Sequence, residues 1–300
     1  MKQPVFDVII IGGSYAGLSA GMALGRSLRN VLIIDGGKPC NRQTPYSHNF
    51  ITQDGKAPSE ILAITKAEVE QYSTVEFYQG LAIESQKIAN GFEVKTNTGA
   101  YFKAKKLILA TGIKDIMPNI EGFSACWGIS ILHCPYCHGY EIRNQPTGIL
   151  ANGAAALHYT QLISNWTKDL TLFTNGVSLL TKEETEKLTA HNIKVIETKV
   201  QELKHQDGYL QAIELENSNL ISLDAIYGMV DFVQHSDMAN QLGCRLNDAG
   251  LIEVDESQET TVEGVFACGD NSSKRALTFA VASGSLAGVM ANFKLIEAVF

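Results

Sequence analysis

The chain is predicted to be an α/β protein built from two similar strand-turn-helix units, the second inserted within the first. Three observations predict this. The apolar run Val5-Phe6-Asp7-Val8-Ile9-Ile10-Ile11 leads straight into a glycine-rich turn. A second strand-turn-helix-strand series starts at Thr147. A late strand, Val265-Phe266-Ala267-Cys268, ends in Gly269-Asp270 before a long apolar helix. At 300 residues the chain also exceeds what one hydrophobic core usually serves.

Each element follows from its local pattern. Val5–Ile11 is nearly all apolar, as a parallel strand covered on both faces should be. Gly12-Gly13-Ser14-Tyr15-Ala16-Gly17 makes a turn, and residues 18–28 carry the small and apolar spacing of a helix packed on a sheet. Val31–Ile34 is the next strand and ends at Asp35. Residues 36–57 are polar and turn-rich, and Pro58-Ser59 opens a helix expected to reach Tyr72. Four short segments follow, at 75–78, 81–88, 92–96 and 101–104, read as antiparallel strands, with 106–112 as a separate buried strand. In the second unit, 148–151 is the strand, Asn152-Gly153-Ala154 the turn, 155–166 the helix and 170–173 the following strand. The last helix is expected over 277–299.

Composition narrows the possibilities. Apolar residues make up 45% and charged residues 19%, an ordinary globular balance. A net charge of −8 disfavours nucleic acid or an anionic membrane as the main partner. No run of eighteen apolar residues occurs, so no membrane span is expected. A buried strand at Val5, with no apolar signal region before it, leads us to expect a cytoplasmic protein. In that setting six cysteines are not a disulfide scaffold. Cys40, Cys126, Cys244 and Cys268 are scattered and read as small buried residues, whereas Cys134 and Cys137 form a CxxC.

A glycine turn between a buried strand and a helix gathers backbone N–H groups at the positive end of the helix, which suits a pyrophosphate. The GxGxxG positions are occupied by Gly12, Ser14 and Gly17, so the middle one departs from the pattern to another small residue. Asp35 lies 23 residues after Gly12, at a strand end where a carboxylate accepts from ribose hydroxyls. Strand, turn, helix and acid together indicate a dinucleotide rather than a tight structural turn.

His133-Cys134-Pro135-Tyr136-Cys137-His138-Gly139-Tyr140-Glu141 is the most informative segment. Two cysteines three apart at a helix entry can close a small disulfide ring, and the helix end favours the thiolate that attacks disulfides. Zinc is the weaker reading, because tetrahedral sites normally draw on two separated ligand pairs and no second CxxC or HxxxH exists. A static structural disulfide is the other alternative. Redox pairing is preferred in a cytosolic chain.

The order of these motifs resembles the low-molecular-weight thioredoxin reductase family over nearly the whole chain. The resemblance implies two Rossmann-like domains of three-layer β/β/α type, with an FAD domain at 1–115 and 239–300 and an NAD(P)-binding-like domain at 116–238 carrying the CxxC. It implies FAD, held by Gly12, Ser14, Ala16, Gly17 and Asp35, by Thr111 and Gly112 of Ala110-Thr111-Gly112, and by Gly269 and Asp270. For Asp270 a helix N-cap is the plainer reading, and both roles are compatible. Arg275, Ala276 and Leu277 fall where the family covers the flavin, although Ala276 stands at the usual glutamine. Arg42 and Asn49 fall in a loop that approaches FAD in relatives. The cysteine matching Cys137 lies against the flavin there, and the one matching Cys134 exchanges with substrate. A homodimer is also implied.

Two departures matter. Where the family carries an acid after the second cysteine, this chain has His138, as in a branch that includes dithiol oxidases. Histidine titrates near neutral pH and can shuttle the same proton, so His138 joins Cys134 and Cys137 as a candidate catalytic residue. His133 reads more plainly as packing. In the second turn, Ala151-Asn152-Gly153-Ala154 lacks the first glycine, and Thr174-Asn175-Gly176 stands where a basic run should grip NADPH. No arginine lies between Arg143 and Arg245, leaving Lys168 and Lys182 as the nearby cations. Hydrogen bonds to charged groups are worth about 1.5–3 kcal/mol each, so losing two weakens NADPH binding by orders of magnitude.

The expected function is a thiol/disulfide oxidoreductase relaying electrons between FAD, the Cys134–Cys137 pair and a small-molecule dithiol or disulfide, or a thioredoxin-like protein. One version is a reductase fed by NADPH, NADH or another donor such as ferredoxin. Another is an oxidase passing electrons from a dithiol to oxygen. A non-catalytic flavin redox sensor is the alternative from a different class.

Overall fold

The computed structural model describes residues 5–300, so the first four residues of the expected 1–115 segment lie outside the described residues. The chain divides into two compact units: one holds residues up to Arg42, Ser59–Lys114 and Phe232–Phe300, and the other holds Gln43–Pro58 and Asp115–Asp231. The expected boundaries differ from these in two places. The chain returns at Phe232 rather than 239, and 43–58 belongs with the second unit. There Gln43 Nε2 donates to the Trp127 carbonyl at 2.5 Å, a pairing 84 residues apart that local sequence does not reveal.

In the first unit β1 (Val5–Ile11) runs into α1 (Tyr15–Arg26), followed by β2 (Val31–Asp35), α2 (Pro58–Val69) and β3 (Val75–Gln79). Strands β4 (Ala82–Ile88), β5 (Gly91–Thr96) and β6 (Tyr101–Leu109) complete this stretch, and β7 (Ile113–Ile116) leads out. Two expectations are corrected here. The segment at 75–78 is parallel to β2, not part of an antiparallel set. The segments 101–104 and 106–112 form the single strand β6. Its pattern changes midway because one neighbour changes: β5 pairs antiparallel with residues 101–104, and the parallel strand at 265–267 takes that side at 107–109, while parallel β1 runs along 103–109.

The second unit contains α3 (Phe123–Cys126), β8 (Ile131–Leu132), α4 (Pro135–His138), β9 (Thr147–Leu150), α5 (Ala154–Ile163) and β10 (Leu170–Phe173). It continues with α6 (Lys182–Ala190), β11 (Lys194–Ile196), β12 (Val200–Gln206), β13 (Tyr209–Leu215), β14 (Leu220–Ser222) and β15 (Ala225–Gly228). A parallel sheet in the order β11-β10-β9-β15-β8 lies between helices and the antiparallel sheet β12-β13-β14. One buried cluster joins Ile149 and Leu172 to Ile163 of α5 and Leu188 of α6. Another joins Ile226 and Phe173 to Leu203 and Ile213. This is the three-layer β/β/α arrangement.

The chain then returns through β16 (Asp231–Gln234), α7 (Met238–Leu242), β17 (Val265–Ala267) and α8 (Leu277–Glu297). β17 joins the first sheet along the outer half of β6, beside residues 107–109. That sheet runs β3-β2-β1-β6-β5-β4. Helix α8 has 21 residues and is long and apolar enough by composition to cross a membrane, although it contains no unbroken apolar run of eighteen. Its buried face of Ala280, Gly284, Ala287, Gly288 and Ala291 packs instead on α1.

That contact is made of backbone. A Cβ on Gly284 would stand 2.1 Å from the Ala16 carbonyl oxygen, and one on Gly288 would stand 2.6 Å from that of Ala20. Backbone on both sides leaves no flexible atom to yield. Gly284→Ala is expected to destabilise the protein by about 1–3 kcal/mol through overpacking. Thermal or denaturant unfolding of the variant measures this.

Candidate active site

The first glycine turn is closed by backbone contacts that only glycine allows. Gly12 has φ +110, and a Cβ there would meet the Ala110 carbonyl oxygen at 2.2 Å. A Cβ on Gly17 would lie 1.8 Å from the Gly12 oxygen. Ser14 is the N-cap of α1, and no side chain caps this helix, whose positive end faces the turn. Asp35 receives the Gly13 N–H at 3.2 Å, which ties the end of β2 to the turn.

The other sequence-predicted members of this site in the same unit are brought to the same end of the sheet. Asn271, fully buried, donates to the Leu109 carbonyl at 2.9 Å and the Thr111 hydroxyl at 3.2 Å, joining the Ala110-Thr111-Gly112 bend to the strand end at Gly269-Asp270. Gly269 has φ +82, and a Cβ on it would stand 2.9 Å from that of Ala16. Gly112 has φ +65. Asp270 is not the N-cap of α8, which is Ala276. It lies 3.7 Å from the Cys40 thiol. Cys40 itself is exposed, not buried as expected, because it sits on the polar stretch after β2. Arg275 and Leu277 flank that cap. Arg42 bonds the Pro39 carbonyl at 3.2 Å. Asn49 lies in the second unit, where its N–H donates to Asp54 Oδ1 at 2.8 Å.

In the second unit Cys134 and Cys137 form a disulfide, with Cα atoms 5.3 Å apart. Cys134 is the N-cap and Pro135 the first residue of α4, whose rigid φ suits that position. The helix is one four-residue turn, so it supplies little of the dipole expected at a helix entry. His133 stacks on Trp127 at 5.9 Å, and its carbonyl accepts from the Tyr159 hydroxyl, which supports the packing reading.

His138 closes the same turn and is half-buried. Burial, followed by the charge of nearby His48, lowers its pKa to about 4. The expectation of a group titrating near neutral pH is thereby corrected: beside the closed disulfide His138 is a neutral imidazole. His48 lies on the 47–56 loop, with Nδ1 3.6 Å from both Glu141 Oε1 and Asp54 Oδ2. Nothing local in the sequence points to His48. The three remaining cysteines, Cys126, Cys244 and Cys268, are buried free thiols, and burial pushes Cys268 up to about 12. Among the described residues no three His, Cys, Asp or Glu side chains cluster as metal ligands.

The second glycine turn is tied to the 174–179 loop by its own asparagine. Asn152 Oδ1 accepts from Gly153 N at 2.8 Å and from Leu179 N at 2.9 Å. Its Nδ2 donates to the Thr174 and Val177 carbonyls at 3.3 and 2.9 Å. The turn's donor is therefore satisfied internally, and the 174–179 loop is tied to it. Lys168 bonds the Ser164 carbonyl at 2.5 Å and Lys182 lies 3.8 Å from Glu186, so both cations are engaged on their own segments.

A glycine cradle on one unit and a disulfide beside a buried histidine on the other define a dinucleotide-dependent disulfide enzyme. The profile described as pyridine nucleotide-disulphide oxidoreductase matches residues 6–285, and the chain belongs to this family. Thioredoxin reductase tcpT of Claviceps purpurea is 33% identical over 304 residues, 97% of this chain and 95% of that protein. Thioredoxin reductase sirT of Leptosphaeria maculans is 30% identical over 313 residues, 98% of this chain and 95% of that one. The solved structure of an oxidoreductase from Agrobacterium tumefaciens has a TM-score of 0.92 at 34% identity, covering 98% of this chain and 99% of its own. The protein is thus a flavoprotein thiol/disulfide oxidoreductase of thioredoxin reductase type, with FAD as cofactor. The first cradle fits FAD, since a Cβ at Gly12 or Gly17 would fill it and the first turn of α1 lacks a side-chain cap.

The histidine's environment has a consequence for pH. A folded pKa below the unfolded value means that protons bind the unfolded chain first as pH falls from 6.5 to about 4. Across that window stability falls with falling pH, and His138→Asn should remove this part of the dependence. If His138 accepts a thiol proton, dithiol turnover should keep its rate through pH 6 and decline near pH 4–5. The variant should lose that decline and about 10²–10⁴ in rate. Profiles of kcat/KM against pH for both proteins decide this.

Proposed function

We propose that the protein exchanges electrons with a dithiol or disulfide through Cys134, with Cys137 as the second thiol and His138 as the proton carrier. The observation that carries this reading is the Cys134–Cys137 disulfide ending in a half-buried neutral histidine on one turn. Bound FAD would supply a two-electron acceptor and donor, held by Gly12, Ser14, Ala16, Gly17, Asp35, Thr111, Gly112, Gly269 and Asp270.

The chain's own residues account for the sulfur chemistry. One substrate thiol gives its proton to His138 and attacks Cys134 Sγ. The Cys134–Cys137 bond breaks, and Cys137 leaves as a thiolate that takes the proton from His138. The second substrate thiol then attacks its own partner sulfur, freeing Cys134, which takes the second proton. The substrate ends as a disulfide and the protein as a dithiol, so two electrons and two protons have moved. Because the steps reverse, the same groups serve reduction.

The Asn152 bonds across the second turn, together with the lack of an arginine between Arg143 and Arg245, favour the oxidising direction over a reductase driven by NADPH. In that direction dioxygen accepts the two electrons and two protons as hydrogen peroxide. Tyr136, between the cysteines, is 63% exposed and meets Trp166 edge-on at 5.5 Å, which supports a compact apolar substrate rather than an extended polar one. Four free cysteines, one of them exposed, are consistent with a reducing cytoplasm.

A homodimer is part of the same reading. Phe279, Leu286, Val289, Phe293 and Ile296 are exposed along α8 at spacings of seven, three, four and three, a stripe of about 25 Å by helical rise. A second copy of the same stripe is its self-complementary occupant.

Anaerobic titration separates the directions. Dithiothreitol should bleach the flavin absorbance, and NADPH or NADH should leave it at millimolar concentration; rapid bleaching by NADPH would reverse the assignment. Cys134→Ser should abolish turnover while flavin stays bound, whereas a non-catalytic sensor has no turnover to lose. Light scattering should show a dimer that Phe293→Glu converts to monomer.

A further inference from the structure

We propose that His48, bracketed by Glu141 and Asp54, is a positioning residue of the redox site that governs when His138 can take up a thiol proton. The inference rests on the proton-carrying role assigned to His138 above and adds a residue that the chain brings from 90 positions away.

The geometry is specific. Loop 47–56 is pinned at both ends by the Ser47–Lys56 bridge, with Ser47 N donating to the Lys56 carbonyl at 2.8 Å and Gly55 N to the Ser47 carbonyl at 2.8 Å. Asn49 with φ +57 and Thr52 with φ +70 turn the chain tightly inside it, and Asp54 accepts the Asn49 N–H at 2.8 Å. The loop therefore carries His48 and one of its carboxylates as a unit. The other carboxylate, Glu141, follows His138 by three residues. His48 is 19% exposed, against 66% for Asp54 and 38% for Glu141, so the imidazole is the inner member.

Two histidines near one another cannot both hold a proton cheaply. When His48 carries its proton, Glu141 and Asp54 balance the charge, and His138 is kept as the free base. This is the resting form that dithiol oxidation requires, since the first proton must move from substrate to His138. Glu141 also acts on Tyr227 of β15, which in turn senses Tyr159 of α5, while Cys134 and Cys137, paired in the disulfide, do not titrate. The Tyr227 hydroxyl is raised by burial, then by Tyr159 and Glu141, and stays protonated throughout the working range.

The sign of the effect follows. Removing the His48 charge lets His138 protonate at higher pH, so less free base remains in mild acid. His48→Gln should therefore move the acid decline of disulfide exchange upward, lowering the rate at pH 5 by up to about twofold, because burial remains the larger cause. The rate at pH 8 should be unchanged. His48→Lys restores a fixed positive charge between the two carboxylates and should return the decline to its original place. Loss of a merely structural contact would lower the rate at every pH and would not be repaired by lysine.

The test uses the flavin-bound protein and two readouts. One is the rate at which dithiothreitol opens the Cys134–Cys137 disulfide, followed by alkylation and mass spectrometry and corrected for dithiothreitol ionisation. The other is NMR titration of labelled histidines, with His138 assigned through His138→Asn, which reads protonation directly and needs no turnover. An upward shift in both readouts for His48→Gln, reversed by His48→Lys, supports the proposal. An unmoved His138 titration in His48→Gln overturns it. If His138→Asn itself keeps the full rate and pH profile, the proton-carrying role of His138 fails and the present proposal falls with it. If His138→Asn loses the decline while His48→Gln keeps it, only the role of His48 is overturned.

Discussion

Contact between main chains, with no side chain interposed, is the constraint on which the flavin unit depends. At Gly12 the turn touches the Ala110 carbonyl, at Gly17 the helix touches the turn, and at Gly284 helix α8 touches the Ala16 carbonyl. α1 is thereby clamped between the sheet and α8, and the Ser19 hydroxyl donating to the Val281 carbonyl at 2.8 Å fixes its register. Rigid closure of this kind fixes the first-turn N–H groups of α1 in space, which a diphosphate needs if binding is not to spend energy on ordering the loop. It also explains why serine is tolerated at position 14 and only glycine at 12 and 17. Ser14 has φ −94, an ordinary value for an L residue, while a Cβ at Gly12 or Gly17 would meet backbone oxygen at 2.2 or 1.8 Å.

In the disulfide unit, desolvation and charge take the place of packing as the deciding terms. A carboxylic acid after the second cysteine would be ionised at neutral pH unless burial held it neutral, and then it would act first as a donor. A histidine in the same half-buried place works the other way, because burial disfavours its charged form. The substitution of histidine for acid therefore changes the resting state from a group able to give a proton to one ready to accept it. That change agrees in direction with a site poised to oxidise thiols, where proton acceptance comes first.

Much of the fold was legible because buried parallel strands announce themselves. Val5–Ile11 and Leu170–Phe173 were readable as apolar runs, and the glycine turn, CxxC and Gly-Asp end were readable as motifs. β6 was misread as two strands because its pattern changes from alternating to continuous where its neighbours change, and periodicity has no access to neighbours. Helix α6 was missed although its capping box was in view: Thr181 accepts from Glu184 N, and Glu184 returns a bond to Thr181 N. His48 and Asn152 belong to another category. Each gets its meaning from a partner distant in sequence, Glu141 for one and the 174–179 loop for the other, so no window around them carries the signal.

Asn152 shows how a nucleotide-type turn can be tied to the loop beside it. Parallel strands β9 and β10 and helix α5 are kept by their own core, through Ile149, Leu172, Ala156 and Ile163, none of which needs a nucleotide. An amide side chain supplies the Gly153 N–H with a partner at 2.8 Å, while α5, like α1, has no side-chain cap. The side chain uses both its ends, so opening the turn to a pyrophosphate would break several hydrogen bonds at once, each worth about 0.5–1.5 kcal/mol net. The unit serves as the scaffold of the CxxC, whose turn follows β8 and precedes β9 in the chain, so the buried core that holds its sheet also holds the disulfide in place.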